Sequence, residues 1–341
     1  FLSAGIYPYY CKYHRAMGMT GTVVVLPSVP PGSPTLPAPL TPYPSITPGP
    51  TVAPGGADDI VFDYFATEGD SASRTDLFIV AADGSNKRQL TNTASLSEAQ
   101  PNWSPERRRV VYTVTQGDPR VGPWQLAVAD LDTGQSQTIS AGREHYEPDW
   151  RPDGRLIAFT SLTRSGTDVV SSELAVIAPD GSGYRALARV NSSYYSVGNP
   201  SWSPDGLQIV FTLESGSSGG DLYVLDVAAM TVRKILDHPG WDDIDPAWSP
   251  DGRYIAFASG VARGSVTATY HTIWILDRTT GVAGAIVTVP EWDLRGPSWS
   301  PDGSEIVFSA RFQVNPSRWA LYVVPSTGGA VRGALSVGVE P

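Results

Sequence analysis

The chain has 341 residues, 41% of them hydrophobic, and a formal net charge of −10, which is enough apolar material for one large or two modest domains. An acidic chain gains nothing from releasing the counterions of a phosphate backbone, which argues against a nucleic-acid partner, and a single cysteine excludes a disulfide framework within the chain. No apolar run approaches the ~18 residues a membrane-spanning helix needs.

Residues 1–25 contain Cys11, the only cysteine, followed by His14 and Met19. A thiolate, an imidazole three residues on and a thioether at the end of the same loop form the ligand types of a blue-copper electron-transfer site. The spacing Cys-x2-His-x4-Met, followed by Gly21 and Val23, resembles the last hairpin of a plastocyanin-like cupredoxin. Met17 offers a shorter spacing, but Met19 has the glycine two residues later that this pattern carries. The resemblance implies a copper site and a redox partner, with a second equatorial histidine further upstream in the family. The other histidines, His145, His238 and His271, all lie beyond residue 57. Copper is therefore expected only where the upstream part of such a domain is present, and the chain is expected to start within that domain.

Residues 26–57 are dense in Pro, Ser, Thr and Gly and carry no charge. Such a stretch cannot bury enough apolar surface to offset its ordering entropy, and it reads as an extended, polyproline-like spacer.

From residue 58 to 341 the sequence repeats. Trp103-Ser104-Pro105-Glu106, Trp150-Arg151-Pro152-Asp153-Gly154, Trp202-Ser203-Pro204-Asp205-Gly206, Trp248-Ser249-Pro250-Asp251-Gly252 and Trp299-Ser300-Pro301-Asp302-Gly303 recur at spacings of 47, 52, 46 and 51. A proline stands two residues before each Trp, from Pro101 to Pro297, and an apolar β run follows each, as in Ile209-Val210-Phe211. A sixth run, Ile60-Val61-Phe62, has no Trp motif before it. A second run follows in each unit, as in Leu222-Tyr223-Val224-Leu225, then a turn and a short third strand such as Arg233-Lys234-Ile235-Leu236. Four short strands in a unit of ~40–50 residues are the signature of a propeller blade, so the fold class is all-β: a six-bladed β-propeller preceded by a cupredoxin-like hairpin and a Pro-rich linker. The first blade lacks an innermost strand, and Val339-Glu340-Pro341 resembles the lead-in to a Trp strand that would close the ring.

The W-S-P-D-G pattern, with D-L-Y-V-L-D further on, closely resembles the TolB-like β-propeller family. That resemblance implies that the tryptophans fill the spaces between blades and the aspartates cap turns. It also implies that residues just before each Pro-x-Trp gather at one mouth of a central channel. Here these include Glu98, Gln100, His145, Tyr146, Glu147, Tyr195, Asn199, Trp241, Asp242, Asp243, Asp245, Trp292, Asp293 and Arg295. Of these, His145, Glu147, Asn199, Trp241, Asp243, Asp245, Trp292, Asp293 and Arg295 are the candidate ligand or partner site, since acids beside aromatics suit a peptide, a sugar or a cation.

Catalytic signals are weak. Gly216-Ser217-Ser218-Gly219-Gly220 matches G-x-S-x-G, but it sits in a loop between strands and not on a strand-to-helix elbow. The expectation is an exported, periplasmic or extracellular, non-enzymatic protein whose propeller docks to protein partners of the cell envelope. One alternative is a propeller lyase or hydrolase acting on polysaccharide or peptide, with His145, Glu147, Asp243 and Asp245 around a metal. Another is an accessory subunit of a larger envelope complex.

Overall fold

The computed structural model of the chain describes residues 5–10, 20–25, 59–65, 74–93, 95–116, 122–140, 144–166, 168–215, 219–261, 270–289, 292–312 and 319–335. Cys11, His14 and Met19, the spacer, the serines of the G-x-S-x-G match and residues 339–341 all lie outside these. Every regular element among the described residues is a strand. No helix there is long and apolar enough to cross a membrane.

The strands form six sheets that follow one another along the chain. Blade 1 pairs Asp59–Phe65, Thr75–Ala81 and Arg88–Gln89, and has three strands among the described residues. Blade 2 runs Leu96–Trp103, Arg109–Gln116, Gln125–Asp130 and Gln135–Thr138, from inner to outer strand. Blades 3 to 6 repeat this antiparallel order from the inner strands Glu144–Trp150, Tyr195–Trp202, Trp241–Trp248 and Trp292–Trp299. The expected six blades are present, the first with three strands among the described residues. The segments Gly5–Tyr10 and Thr20–Val25 form a hairpin whose second strand adds to the outer edge of blade 3, with Val23 opposite Val190.

The repeated motif builds the turn after each inner strand. In blade 4 the Asp205 carboxylate accepts hydrogen bonds from Ser203 Oγ (2.6 Å) and Leu207 N (3.0 Å), while Ser203 Oγ accepts one from Gln208 N (2.9 Å). The turn then needs a left-handed residue, and Gly206 supplies it at φ 68°. Blades 5 and 6 repeat the bond, from Ser249 to Asp251 (2.5 Å) and from Ser300 to Asp302 (2.6 Å).

The core lies between blades. Tyr112, Phe159, Phe211, Phe257 and Phe308, one from each second strand of blades 2 to 6, are fully buried or nearly so. Trp202 packs with Ala158, Leu174 and Val176 of blade 3, and Trp248 with Val210 and Val224 of blade 4. The tryptophans thus seal the interface with the preceding blade, as the repeat pattern implies.

Each inner strand bulges three residues before its Trp, where the pairing register shifts. Gln100, Glu147, Asn199, Asp245 and Gly296 occupy that position, all with φ between 50° and 57°. This twist turns the peptide N–H sideways, toward the previous blade. Gln100 N donates to Asp63 Oδ1 (3.1 Å), Glu147 N to Gln100 Oε1 (3.0 Å), Asn199 N to Glu147 Oε2 (2.6 Å) and Gly296 N to Asp245 Oδ2 (3.0 Å). Side chain to backbone bonds therefore link blades 1 to 4 in series, and blade 5 to blade 6.

A second series lies nearer the start of the inner strands. Thr75 Oγ1 donates to Glu98 O (2.8 Å), His145 N to Trp124 O (3.0 Å), Val197 N to Ser172 Oγ (2.9 Å), Gly220 N to Asp242 Oδ1 (2.6 Å) and His271 N to Asp293 Oδ1 (3.2 Å). In each case the third strand of one blade is tied to the inner strand of the next.

Candidate functional site

These two series decide which of the expected mouth residues remain open. His145 is 2% exposed and stands edge-on to Phe159, with ring centroids 5.0 Å apart. It belongs to the interior of blade 3, which removes it from the metal cluster of the lyase alternative. Asp243 is also fully buried; it accepts a hydrogen bond from Ser259 Oγ (2.5 Å) and lies 3.2 Å from His238 Nδ1. Burial raises its pKa first of all, against the pull of Ser259 and His238. Trp241 stacks on His238 (4.4 Å) and meets Trp274 edge-on (5.5 Å), and Trp292 meets Tyr322 edge-on (5.2 Å). Both are half-buried packing groups.

Glu147, Asn199 and Asp245 do come together, at the bulge level of successive inner strands. Glu147 Oε2 accepts from Asn199 N and from Thr160 Oγ1 (2.9 Å). Glu214, from the second strand of blade 4, joins them. A Cβ at Gly198 would lie 3.4 Å from Glu147 Oε2 and 3.8 Å from Glu214 Oε1, so the bare glycine backbone leaves room for both carboxylates. Glu214 is open to water but walled by protein on several sides. That withdrawal from bulk water comes first, and the charges of Glu147, Asp242 and Asp245 follow, in pushing its pKa up to about 7 against the pull of Arg295. Glu147 and Asp245 are raised as well, chiefly by burial. The mouth thus gathers carboxyl groups whose pKa values are raised, Glu214 to about 7.

Beside it lies an ion-pair cluster joining blades 5 and 6. His271 is fully buried, with Nδ1 3.0 Å from Asp293 Oδ1 and Nε2 3.1 Å from Asp242 Oδ2. Arg295 Nε and Arg311 each approach Asp293 at 3.1 Å. Burial opposes the charge on His271, Asp242 and Asp293, yet the pairing wins. His271 is raised above its ordinary value by Asp242 and Asp293, Asp242 is lowered, and Asp293 is held at about 2 by His271 and Arg295. Asp293 and Arg295, expected at the mouth, are thus neighbours there, with Asp293 locked into this cluster and Arg295 half-buried at its edge.

Sequence reasoning left out Glu214, His271 and Arg311, which come from second and third strands. The signal was present: Glu214 and Arg311 occupy the same place in their strands, five residues after Ile209 and Ile306, where a charge breaks the apolar run. Among the described residues no group of three or more His, Cys, Asp or Glu side chains is arranged to hold a metal ion.

Six antiparallel blades, sealed by a Trp motif, define a β-propeller. Residues 106–311 match the family described as "TolB beta propeller domain", and the chain belongs to that family. It is 27% identical over 221 residues to "Uncharacterized peptidase YuxL" of Bacillus subtilis (strain 168), covering 64% of this chain and 30% of the peptidase. It is 34% identical over 122 residues to "Tol-Pal system protein TolB" of Anaeromyxobacter sp. (strain K), covering 36% of this chain and 26% of that protein. The chain thus spans about a third or less of the curated relatives it matches. Among solved structures it resembles TolB from Acinetobacter baumannii, with a TM-score of 0.62 and 20% identity over 79% of this chain and 61% of that one. An oligogalacturonate lyase in complex with manganese superposes with a TM-score of 0.56 and 17% identity, over 81% of this chain and 73% of the lyase. The expectation of a non-enzymatic protein is corrected by these relatives, because the same fold stands in a protein named as a peptidase and in a lyase.

Proposed function

We propose that this propeller is a docking module of an exported protein, and that it receives a basic segment of a cell-envelope protein at its mouth. The convergence of Glu147, Glu214, Asp242 and Asp245 around a single Arg295 carries this reading. A Lys or Arg side chain entering there meets several carboxyl groups at once. The likeness to TolB proteins supports an envelope partner. The corresponding experiment is capture of basic peptides and envelope proteins by the wild-type chain and by Glu214→Gln and Asp245→Asn. Binding should weaken as salt rises and strengthen from pH 6 to pH 8, as Glu214 gives up its proton. Capture unaffected by either substitution would overturn the assignment.

The peptidase relative favours a second reading, in which the propeller admits peptide substrates to a catalytic partner domain. Peptide turnover that falls in Glu214→Gln would select it. The electron-transfer role that the cupredoxin resemblance attaches to Cys11, His14 and Met19 rests on sequence alone. Intense visible copper–thiolate absorption that disappears in Cys11→Ser is its test.

A further inference from the structure

A second recess lies at the opposite end of the inner strands, between the motif turns of blades 5 and 6. It has a volume of about 660 Å³ and is lined by Ser249, Asp251, Tyr254, Trp299, Asp302 and Ser326, among others. The blades touch on either side of it. A Cβ at Gly303 would meet Pro250 Cδ at 3.7 Å, and one at Gly328 would meet Ile286 O at 3.4 Å.

The other motif tryptophans show what this fold places on such a ring. Arg107 covers Trp103 (4.8 Å from guanidinium carbon to ring centroid), Arg109 covers Trp150 (4.8 Å), Arg151 covers Trp202 (5.4 Å) and Arg278 covers Trp248 (4.3 Å). At Trp299 the pattern breaks. Arg109 stands six residues after Trp103 and covers the Trp of the next blade; six residues after Trp248 stands Tyr254. Tyr254 lies roughly parallel to Trp299, with centroids 6.5 Å apart and planes 23° apart. Trp299 stays partly exposed, as Trp103 does under its arginine, while Trp150, Trp202 and Trp248 are buried. Arg253 lies over Tyr254 (4.8 Å) and is tied to Asp277 (2.9 Å).

We infer that this recess is a binding site for an arginine side chain of a partner peptide, which stacks on Trp299 and takes the place that the protein's own arginines fill at the other blade interfaces. A planar guanidinium suits an aromatic face and forks toward carboxylates, and Asp251 and Asp302 stand in the lining. Both carboxylates are ionised: serine hydroxyls and turn N–H groups hold Asp251 below the usual range and Asp302 at about 2. Ser326 also stands in the lining.

The experiment is calorimetric titration of the whole chain with N-acetyl-arginine amide, beside N-acetyl-citrulline amide, which has the same shape without the charge, and a short oligosaccharide. The arginine probe should bind, more weakly as salt rises, and the other two should not. Tyr254→Arg restores the residue that blade 2 carries, so it should fill the recess from within and abolish binding without lowering Tm. Asp251→Asn and Asp302→Asn alter exposed turn carboxylates and should each reduce affinity, which keeps the test sharp if Tyr254→Arg fails to fold. Equal binding of citrulline, binding of the oligosaccharide alone, no binding of arginine, or arginine affinity untouched by all three substitutions would overturn the inference. Affinity that falls in Asp245→Asn but not in Tyr254→Arg, Asp251→Asn or Asp302→Asn would move the arginine to the channel mouth and overturn it as well, while leaving the docking proposal standing.

Discussion

Replacing His271 with asparagine tests whether a buried cation joins the last two blades. The imidazole makes two contacts with carboxylates, at 3.0 and 3.1 Å, and is 0% exposed. Hydrogen bonds to charged groups contribute about 1.5–3 kcal/mol each, and breaking a buried ion pair costs about 3–5 kcal/mol. The carboxylates left behind are not stranded, since Asp293 keeps Arg295 and Arg311 and Asp242 keeps Gly220 N. The loss should therefore fall at the low end, about 3 kcal/mol, or roughly 6–12 °C in Tm for a domain of this size. The sign with pH follows from the direction of the shift. Burial lowers the His271 pKa, but Asp242 and Asp293 raise it further, so the folded value lies above 6.5. Its stabilisation is complete below pH 6.5 and is lost as pH rises through the folded value. Scanning calorimetry at pH 6 and pH 9 should show a large gap between wild type and variant at the lower pH and a smaller one at the higher. An equal gap at both would mean that the imidazole is neutral and the ion-pair account wrong.

Trp202→Ala should cost about 3–5 kcal/mol, the usual range for a large buried aromatic, read by urea denaturation; an unchanged midpoint would deny the Trp its inter-blade role. Gly220→Ala should lower stability by about 1–3 kcal/mol, because its Cβ would fall 2.8 Å from the Asp243 backbone oxygen and 2.6 Å from Thr212 Cγ2. Gly333→Ala, which meets nothing within 4 Å, is the matched control. Burial raises the buried Glu98 and the blade-bridging Asp149 to about 7, against their hydrogen bonds to Thr91 and to Trp202 N. Their folded forms hold protons that the unfolded chain gives up near pH 4, so this stability is present below about pH 4 and lost by about pH 7. Tm should be higher at pH 5 than at pH 8, with a flatter profile in Asp149→Asn; a Tm that rises toward pH 8 would contradict the assignment.

The blades were legible because their signals are local and repeated: Trp-Ser-Pro-Asp-Gly fixes a turn, a cap and a buried ring within five residues. The mouth was less so. Sequence proximity to Pro-x-Trp gathers His145 and Asp243 with Glu147 and Asp245, but the bulge at Glu147 and Asp245 breaks the period that would put residues two apart on one face, and neighbouring side chains face opposite ways. Asp242 and Asp243 therefore end in different surroundings, the first on His271 and the second on Ser259 and His238. The relay position was hidden by its variety. Gln100, Glu147, Asn199, Asp245 and Gly296 share a left-handed backbone and not a side chain, although Asn, Asp and Gly there are the residues that tolerate it best. His271 could not be found from its own strand, because its carboxylate partners lie 29 residues before it and 22 after.

That relay also has a direction. At four seams, 1–2, 2–3, 3–4 and 5–6, one blade offers an acceptor to the next, so such a seam needs only one side-chain oxygen and one sideways N–H. A donated copy of the unit could be spliced in wherever those two atoms recur. The chain of offers begins at Asp63 and stops at Gly296, which receives from Asp245 but has no side chain to pass on. Across the joint between blades 6 and 1, among the described residues, the bond from Arg332 to Ala82 O (2.5 Å) does the holding. That bond is a clasp laid from the last blade back to the first.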